Sequence, residues 1–234
     1  MKATPQARRA IYLELLVMWL LTLIAIRVVV SVVNAGLPEL LLAIVPVLFL
    51  YVPVFVCWLR GVDSYSYPLY LPRFSDREAW LESLRWNAIF VGVITVPYLL
   101  GYHLWTTVAM GQGYVGLWPS EPIKLIGYHL FFVAIPEEFF YRGYLQSRLD
   151  EAWGTPWTVL GAKVGWGWLA TCVIFAFGHS IVQFQWWHAF IVFPSLVFGW
   201  MRARTGGVIC GSLCHAWSNI TVSTLDTLYG IVPP

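Results

Sequence analysis

The stretch Ile135-Pro-Glu-Glu-Phe-Phe-Tyr-Arg-Gly143 sets two adjacent carboxylates and an arginine inside an apolar run that reaches from Ile123 to about Leu149. On insertion scales, each charged side chain at a bilayer centre costs roughly 2.5–3.5 kcal/mol. Three such groups within two turns of helix point to a function that needs them.

The composition fixes the setting. The chain is 59% hydrophobic and only 11% charged, with a mean hydropathy of +0.70, whereas soluble domains carry about a quarter charged residues. The fold class this implies is an all-α, polytopic membrane helical bundle. No linker, low-complexity tract or internal repeat divides it, so residues 1–234 read as one integral membrane domain. A net charge of +2 gives no footprint for nucleic acid. The partners to expect are the lipid bilayer and a membrane-associated substrate. Cys57, Cys172, Cys210 and Cys214 lie in apolar stretches without a C-x-x-C pair and read as small buried hydrophobes.

About seven spans can be placed at roughly 20 apolar residues each. They cover residues 11–33, 38–59, 86–110, 123–147, 164–183, 186–201 and 207–229. The first follows Lys2, Arg8 and Arg9 and is too long for the core of a signal peptide. The second carries Pro38, Pro46 and Pro53 and is expected to kink. Between the second and third, Ser75 followed by Glu78 reads as a capping box. It opens an amphipathic helix with Trp80, Leu81 and Leu84 on one face, suited to the membrane interface. The Trp- and Gly-rich segment before the fifth span is expected at the interface as well.

Lys and Arg alternate between the connections. Arg60, Arg73, Arg77 and Arg85 follow the second span, Arg148 and Lys163 the fourth, and Arg202 and Arg204 the sixth. The connections at 34–37, 111–122 and 184–188 contain neither residue type, although Lys124 sits just inside a neutral side. The positive-inside rule then puts the N-terminus in the cytoplasm and the C-terminus outside.

Three polar pairs lie in the later spans. Glu138 and Arg142 are four residues apart on a helix and can pair, while Glu137 points about 100° away and stays free for a cavity. Phe175 and His179 repeat the spacing on the fifth span, and His215 and Asn219 on the seventh. Counting rise from the cytoplasmic ends puts Glu137, His179 and Asn219 at roughly 15–22 Å depth, so they can meet. Such a cluster suits attack of water on an amide. A carboxylate beside a second carboxylate serves as general base, and a histidine shares the water. A His ring and an Asn amide then supply donors for the developing oxyanion.

Taken in order, Glu137-Glu138-x-x-x-Arg142-Gly143, Phe175-x-x-x-His179 and His215-x-x-x-Asn219 resemble the signature of the CPBP family of intramembrane glutamic endopeptidases. That family includes the CAAX prenyl protease of type II and bacterial bacteriocin-processing and immunity-related proteins. The resemblance covers about residues 120–225, with no departure at the motif positions. It implies Glu137 as catalytic carboxylate and His179 as its partner on water, His215 and Asn219 as oxyanion hole, and Glu138 and Arg142 as support. It also implies a helical bundle with a cavity open to water and laterally to lipid; no cofactor and no metal are expected. Substrates of such a family are prenylated tails, leader peptides or C-terminal sorting signals, the last as in its myxosortase-type branch. A chain this compact looks bacterial, which favours an anchoring or sorting signal on another protein of the inner membrane.

Plainer readings exist for each feature. The glutamate pair with Arg142 could be a packing network, and His215 with Asn219 a bond between helices. The whole could be a non-catalytic scaffold or a bacteriocin-immunity protein of the same fold. A transporter would fit the intramembrane charge but not the missing inverted repeat. Zinc is conceivable with two histidines and a glutamate, although no H-E-x-x-H is present. His103, His129 and His188 match no motif, with His129 two turns before Glu137. Tyr141 and Phe140 read as cavity wall. Arg27, inside the first span, could pair with Glu14 or Glu39 or reach an interface.

Overall fold

The computed structural model describes residues 4–232, so Lys2 lies outside the described residues. Helix α1 (Pro5–Asn34) starts at Thr4, whose side chain accepts from the Ala7 amide, and has proline at its first position. A 3₁₀ turn (Glu39–Ala43) leads into α2 (Ile44–Leu59), which contains Pro53. Helix α3 (Arg77–Leu104) continues as a π-helical stretch, Trp105–Ala109. The amphipathic stretch after Ser75 is therefore not a separate interfacial helix, because no breaker divides it from the apolar run and it forms the first turns of α3. Its cap is Asp76, which accepts from the Ala79 amide at 3.2 Å, and not Ser75.

Residues 122–153 form one composite helix, α4. Its α-helical pieces (Pro122–Gly127, Ile135–Glu138, Ser147–Trp153) alternate with wider π-helical ones (Tyr128–Ala134, Phe139–Gln146). A hairpin follows, β1 (Trp157–Val159) against β2 (Ala162–Val164) in antiparallel register, with Trp157 opposite Val164. Its two-residue turn has Leu160 and Gly161 both at positive φ, as the twist of a tight hairpin requires. Helix α5 (Trp166–Val182) and a 3₁₀ turn (Trp186–Ile191) lead to α6 (Val192–Thr205), which ends on Gly206 in the left-handed region. Helix α7 (Ile209–Leu228) completes the bundle.

Three helical stretches are long and apolar enough to cross a membrane, Pro5–Asn34, Glu39–Leu59 and Arg77–Ala109. Their outer faces present Leu13, Leu21, Ile24, Val93, Val96 and Val108 fully or half exposed. In water that much contiguous apolar surface would aggregate, whereas in lipid it is at rest. Helix α4 is the hub on the inside. Phe140, Tyr141, Tyr144 and Leu145 pack with Leu15, Trp19 and Leu23 of α1, Phe49 of α2 and Phe175 of α5. A smaller cluster of Phe198, Met201, Cys210 and Cys214 joins α6 to α7. All four cysteines are free and buried.

Close approach lets α5 lie against the end of α4. A Cβ at Gly167 would sit 2.5 Å from Asp150 Oδ1 and 2.8 Å from the Asp150 amide, so only glycine fits there.

Polar ties lock the end of the bundle that carries the basic connections. Glu14 of α1 receives Arg148 at 3.0 Å and Arg60 at 3.3 Å, and the Tyr144 hydroxyl donates to it at 2.7 Å. Arg60 also donates to the hydroxyls of Tyr67 and Tyr144. Arg27 pairs with neither Glu14 nor Glu39. Its guanidinium donates to the Ile181 carbonyl at 2.5 Å, capping the C-terminal end of α5, where a cation is favoured.

Glu14 thus bridges three elements, and Arg148 has only 6% of its side chain exposed. Glu14→Ala would leave that guanidinium without its main partner. The expected cost is about 3 kcal/mol, the lower edge for breaking a buried pair, read as a lowered thermal midpoint of purified protein in detergent. Glu121→Ala, whose partner Lys124 is exposed, should leave the midpoint unchanged.

Candidate active site

The site is built on a short α-helical piece between two π-helical ones. In Ile135–Glu138 the two glutamates diverge, with Glu138 fully buried and the Glu137 side chain 14% exposed. π-helical turns recur at functional sites because they re-aim side chains and leave backbone groups unpaired.

Glu138 is the inner carboxylate. Its Oε1 accepts from Arg142 Nη1 at 2.7 Å and from His215 Nδ1 at 3.1 Å. Arg142, also wholly buried, sends Nη2 to the Ser195 hydroxyl at 2.6 Å. Its guanidinium lies 4.2 Å from the Phe175 ring centre and 5.3 Å from that of Phe198. Two aromatic faces and a hydroxyl therefore share the work of solvating a charge that water cannot reach. The Phe198 ring also stacks on His215, with centroids 4.8 Å apart and planes 14° from parallel.

Glu137 is the outer carboxylate. Its Oε2 has no hydrogen-bond partner among the described residues, and the nearest cationic group is His215 Nε2 at 3.8 Å. It lines a cavity of about 640 Å³ together with His179, Tyr141 and Gly178. The Tyr141 hydroxyl abuts Gly178, where an added Cβ would come within 2.7 Å of it.

The histidine tautomers follow from their partners. His179 Nδ1 lies 2.9 Å from the Phe175 carbonyl, which can only accept, so Nδ1 carries the proton and a neutral ring keeps a lone pair on Nε2. His215 Nδ1 faces the Glu138 carboxylate, so it too is protonated. His215 Nε2 can then donate only if the ring carries both protons.

A second cavity, of about 590 Å³, is bounded by α3, α6 and α7 and holds His215, Asn219 and Ser218. His179 and Val133 line both cavities. Glu137 and His179 thus share one cavity and His179, His215 and Asn219 the other, with His215 Nε2 3.8 Å from Glu137 Oε2.

Several contributors carried no sequence signal. Ser195 and Phe198 lie in no motif, yet hold Arg142 and His215. His188, which matches no motif, lines the Glu137 cavity with its ring 5.7 Å from that of His179. Glu39 also lines that cavity. His129 instead bonds Ser223 of α7 at 3.1 Å, and His103 bonds the Tyr229 hydroxyl at 2.6 Å.

Residues 119–221 match the family model described as Type II CAAX prenyl endopeptidase Rce1-like. The matched segment holds all three motifs, in agreement with the resemblance to the CPBP family. No curated protein and no solved structure matched the chain. The matched model describes an endopeptidase of the CAAX type.

Arg142 serves Glu138, Ser195 and two rings with one planar fork, a task that lysine cannot copy. Arg142→Lys should lower folding stability by about 1.5–3 kcal/mol, the worth of a hydrogen bond to a charged group, and depress turnover with it. Ser195→Ala, which removes one hydroxyl, should be the milder of the two in both thermal midpoint and rate.

Proposed function

We propose that the chain is a metal-independent intramembrane glutamic endopeptidase that cleaves a peptide bond near the end of a membrane-associated substrate. Seven spans would carry it through the bacterial inner membrane, with the N-terminus cytoplasmic. The observation that carries this reading is Glu137, a carboxylate with a free oxygen at a cavity wall, between two histidines whose Nδ1 atoms are already engaged.

The chemistry follows from those engagements. Glu137 takes a proton from water as the water oxygen bonds to the amide carbon, while His179 Nε2 accepts a hydrogen bond from the hydrogen that stays on that oxygen and aims the attack. The carbonyl π electrons move onto oxygen. His215 Nε2–H and the Asn219 amide donate to that oxyanion, with Glu138 holding the imidazolium in place. Glu137 then returns its proton to the departing nitrogen as the C–N bond breaks, which leaves a carboxylic acid and an amine. Arg142 touches no reacting atom; it fixes Glu138 and, through it, His215.

No three His, Cys, Asp or Glu side chains among the described residues gather into a metal-binding group. The Rce1-like match supports a CAAX-like tail as substrate, and a C-terminal sorting signal is the other substrate of this reading. A scaffold or immunity protein of the same fold would bind such a peptide without cutting it.

Glu137→Gln should abolish processing, read by comparing the terminal peptides of membrane proteins from cells with wild-type and variant chains. Unchanged termini with a stably expressed variant would favour the scaffold. Asn219→Ala should lower the rate by about 10²–10³-fold, the usual effect of losing one oxyanion donor. Purified protein should stay active in chelator, and stoichiometric zinc would overturn the mechanism.

A further inference from the structure

The two ends of the bundle differ in how they treat Glu137. Toward the basic connections α4 is buried without a break from Phe140 to Leu149. That end is closed by the tie of Glu14 with Arg60, Arg148 and Tyr144. Arg142 and Glu138, both wholly buried, stand between this plug and Glu137.

The opposite end is open. The cavity that holds Glu137 and His179 runs out past Val30 and Val182 to Glu39, Leu40 and Gln183. The polar residues at this rim, Glu39 and Gln183, are exposed. Gln183 adjoins the connection 184–188, and Glu39 and Leu40 open the span Glu39–Leu59 just after the connection 34–37; neither connection contains Lys or Arg. The helices agree, since α1 reaches this end with its C-terminus and α4 with its N-terminus.

We infer that Glu137 is reached from the face opposite the basic connections, the extracytoplasmic face. The substrate is then a polypeptide segment exposed on that face, beside its own membrane anchor. This deepens the endopeptidase reading and rests on it. A tail modified and displayed in the cytoplasm would meet the sealed end, whereas an outward sorting or anchor signal would meet the open one. The positive-inside rule fixes which face is which, and the cavity fixes which face is open.

Two variants that each add one cysteine test this, Gln183→Cys at the rim and Arg73→Cys in a basic connection. Both are made in the active chain, whose own cysteines are buried. Spheroplasts are treated with a charged, membrane-impermeant maleimide before and after permeabilisation. Gln183→Cys should label in intact spheroplasts, and Arg73→Cys only after permeabilisation. The labelled Gln183→Cys protein should lose processing, while labelled Arg73→Cys keeps it. Labelling of Arg73→Cys from outside, protection of Gln183→Cys, or full activity with Gln183→Cys blocked would each overturn the inference. The labelling pattern does not depend on catalysis, so it stands apart from a failure of the endopeptidase reading, which Glu137→Gln alone exposes.

Discussion

The buried chain Arg142–Glu138–His215 is the constraint on which the rest of the site depends. Moving an ion out of water costs several kcal/mol even after relaxation, and a buried pair repays that only with good geometry and further hydrogen bonds. Arg142 obtains them from Glu138, Ser195 and the faces of Phe175 and Phe198. These partners come from α4, α5 and α6, and His215 adds α7. One charge thus dictates the mutual placement of four helices. The arrangement leaves Glu137 as the acidic group not consumed by structure, which a reacting group must be.

Shape reinforces the electrostatics. Gly211 of α7 faces Glu138, where a Cβ would lie 3.0 Å from its Oε2 and 3.1 Å from the Phe198 carbonyl. Helices α6 and α7 therefore come close enough for His215 to reach the carboxylate. Gly199 plays the same part beside Trp168 and Gln146. Small residues let backbones approach in a membrane, where packing has no hydrophobic drive of its own.

Much of this was legible in the sequence, because a charge in a hydrophobic run is a loud signal and the i,i+4 rule is local. The Glu138–Arg142 pair, the divergence of Glu137 and the pairing of His215 with Asn219 on one face all follow from helical spacing. What distance along the chain cannot reveal was missed. Ser195 is an ordinary serine until the fold sets it against Arg142, 53 positions away. The partner of Arg27 is a backbone carbonyl, which has no signature in any sequence. The hairpin at 157–164 is hidden in a Trp- and Gly-rich stretch because its turn rests on Leu160 at positive φ, where Asn or Gly would be the usual cue. The start of α3 slipped by one residue because Ser75 and Asp76 are both good caps and only the turn before them decides.

The π-helical stretches of α4 bear on how sequences of this kind can change length. A wide turn holds one residue more than the α-helical path between the same two ends, so it can release that residue and tighten while the flanking pieces keep their rotational phase. Residues 128–134 are such a reserve, ahead of the glutamates. The four residues Ile135–Glu138 have no such slack, and losing one would turn Glu137 by about 100° against Arg142. Insertions and deletions along this helix should therefore gather before the glutamate pair and spare the pair itself.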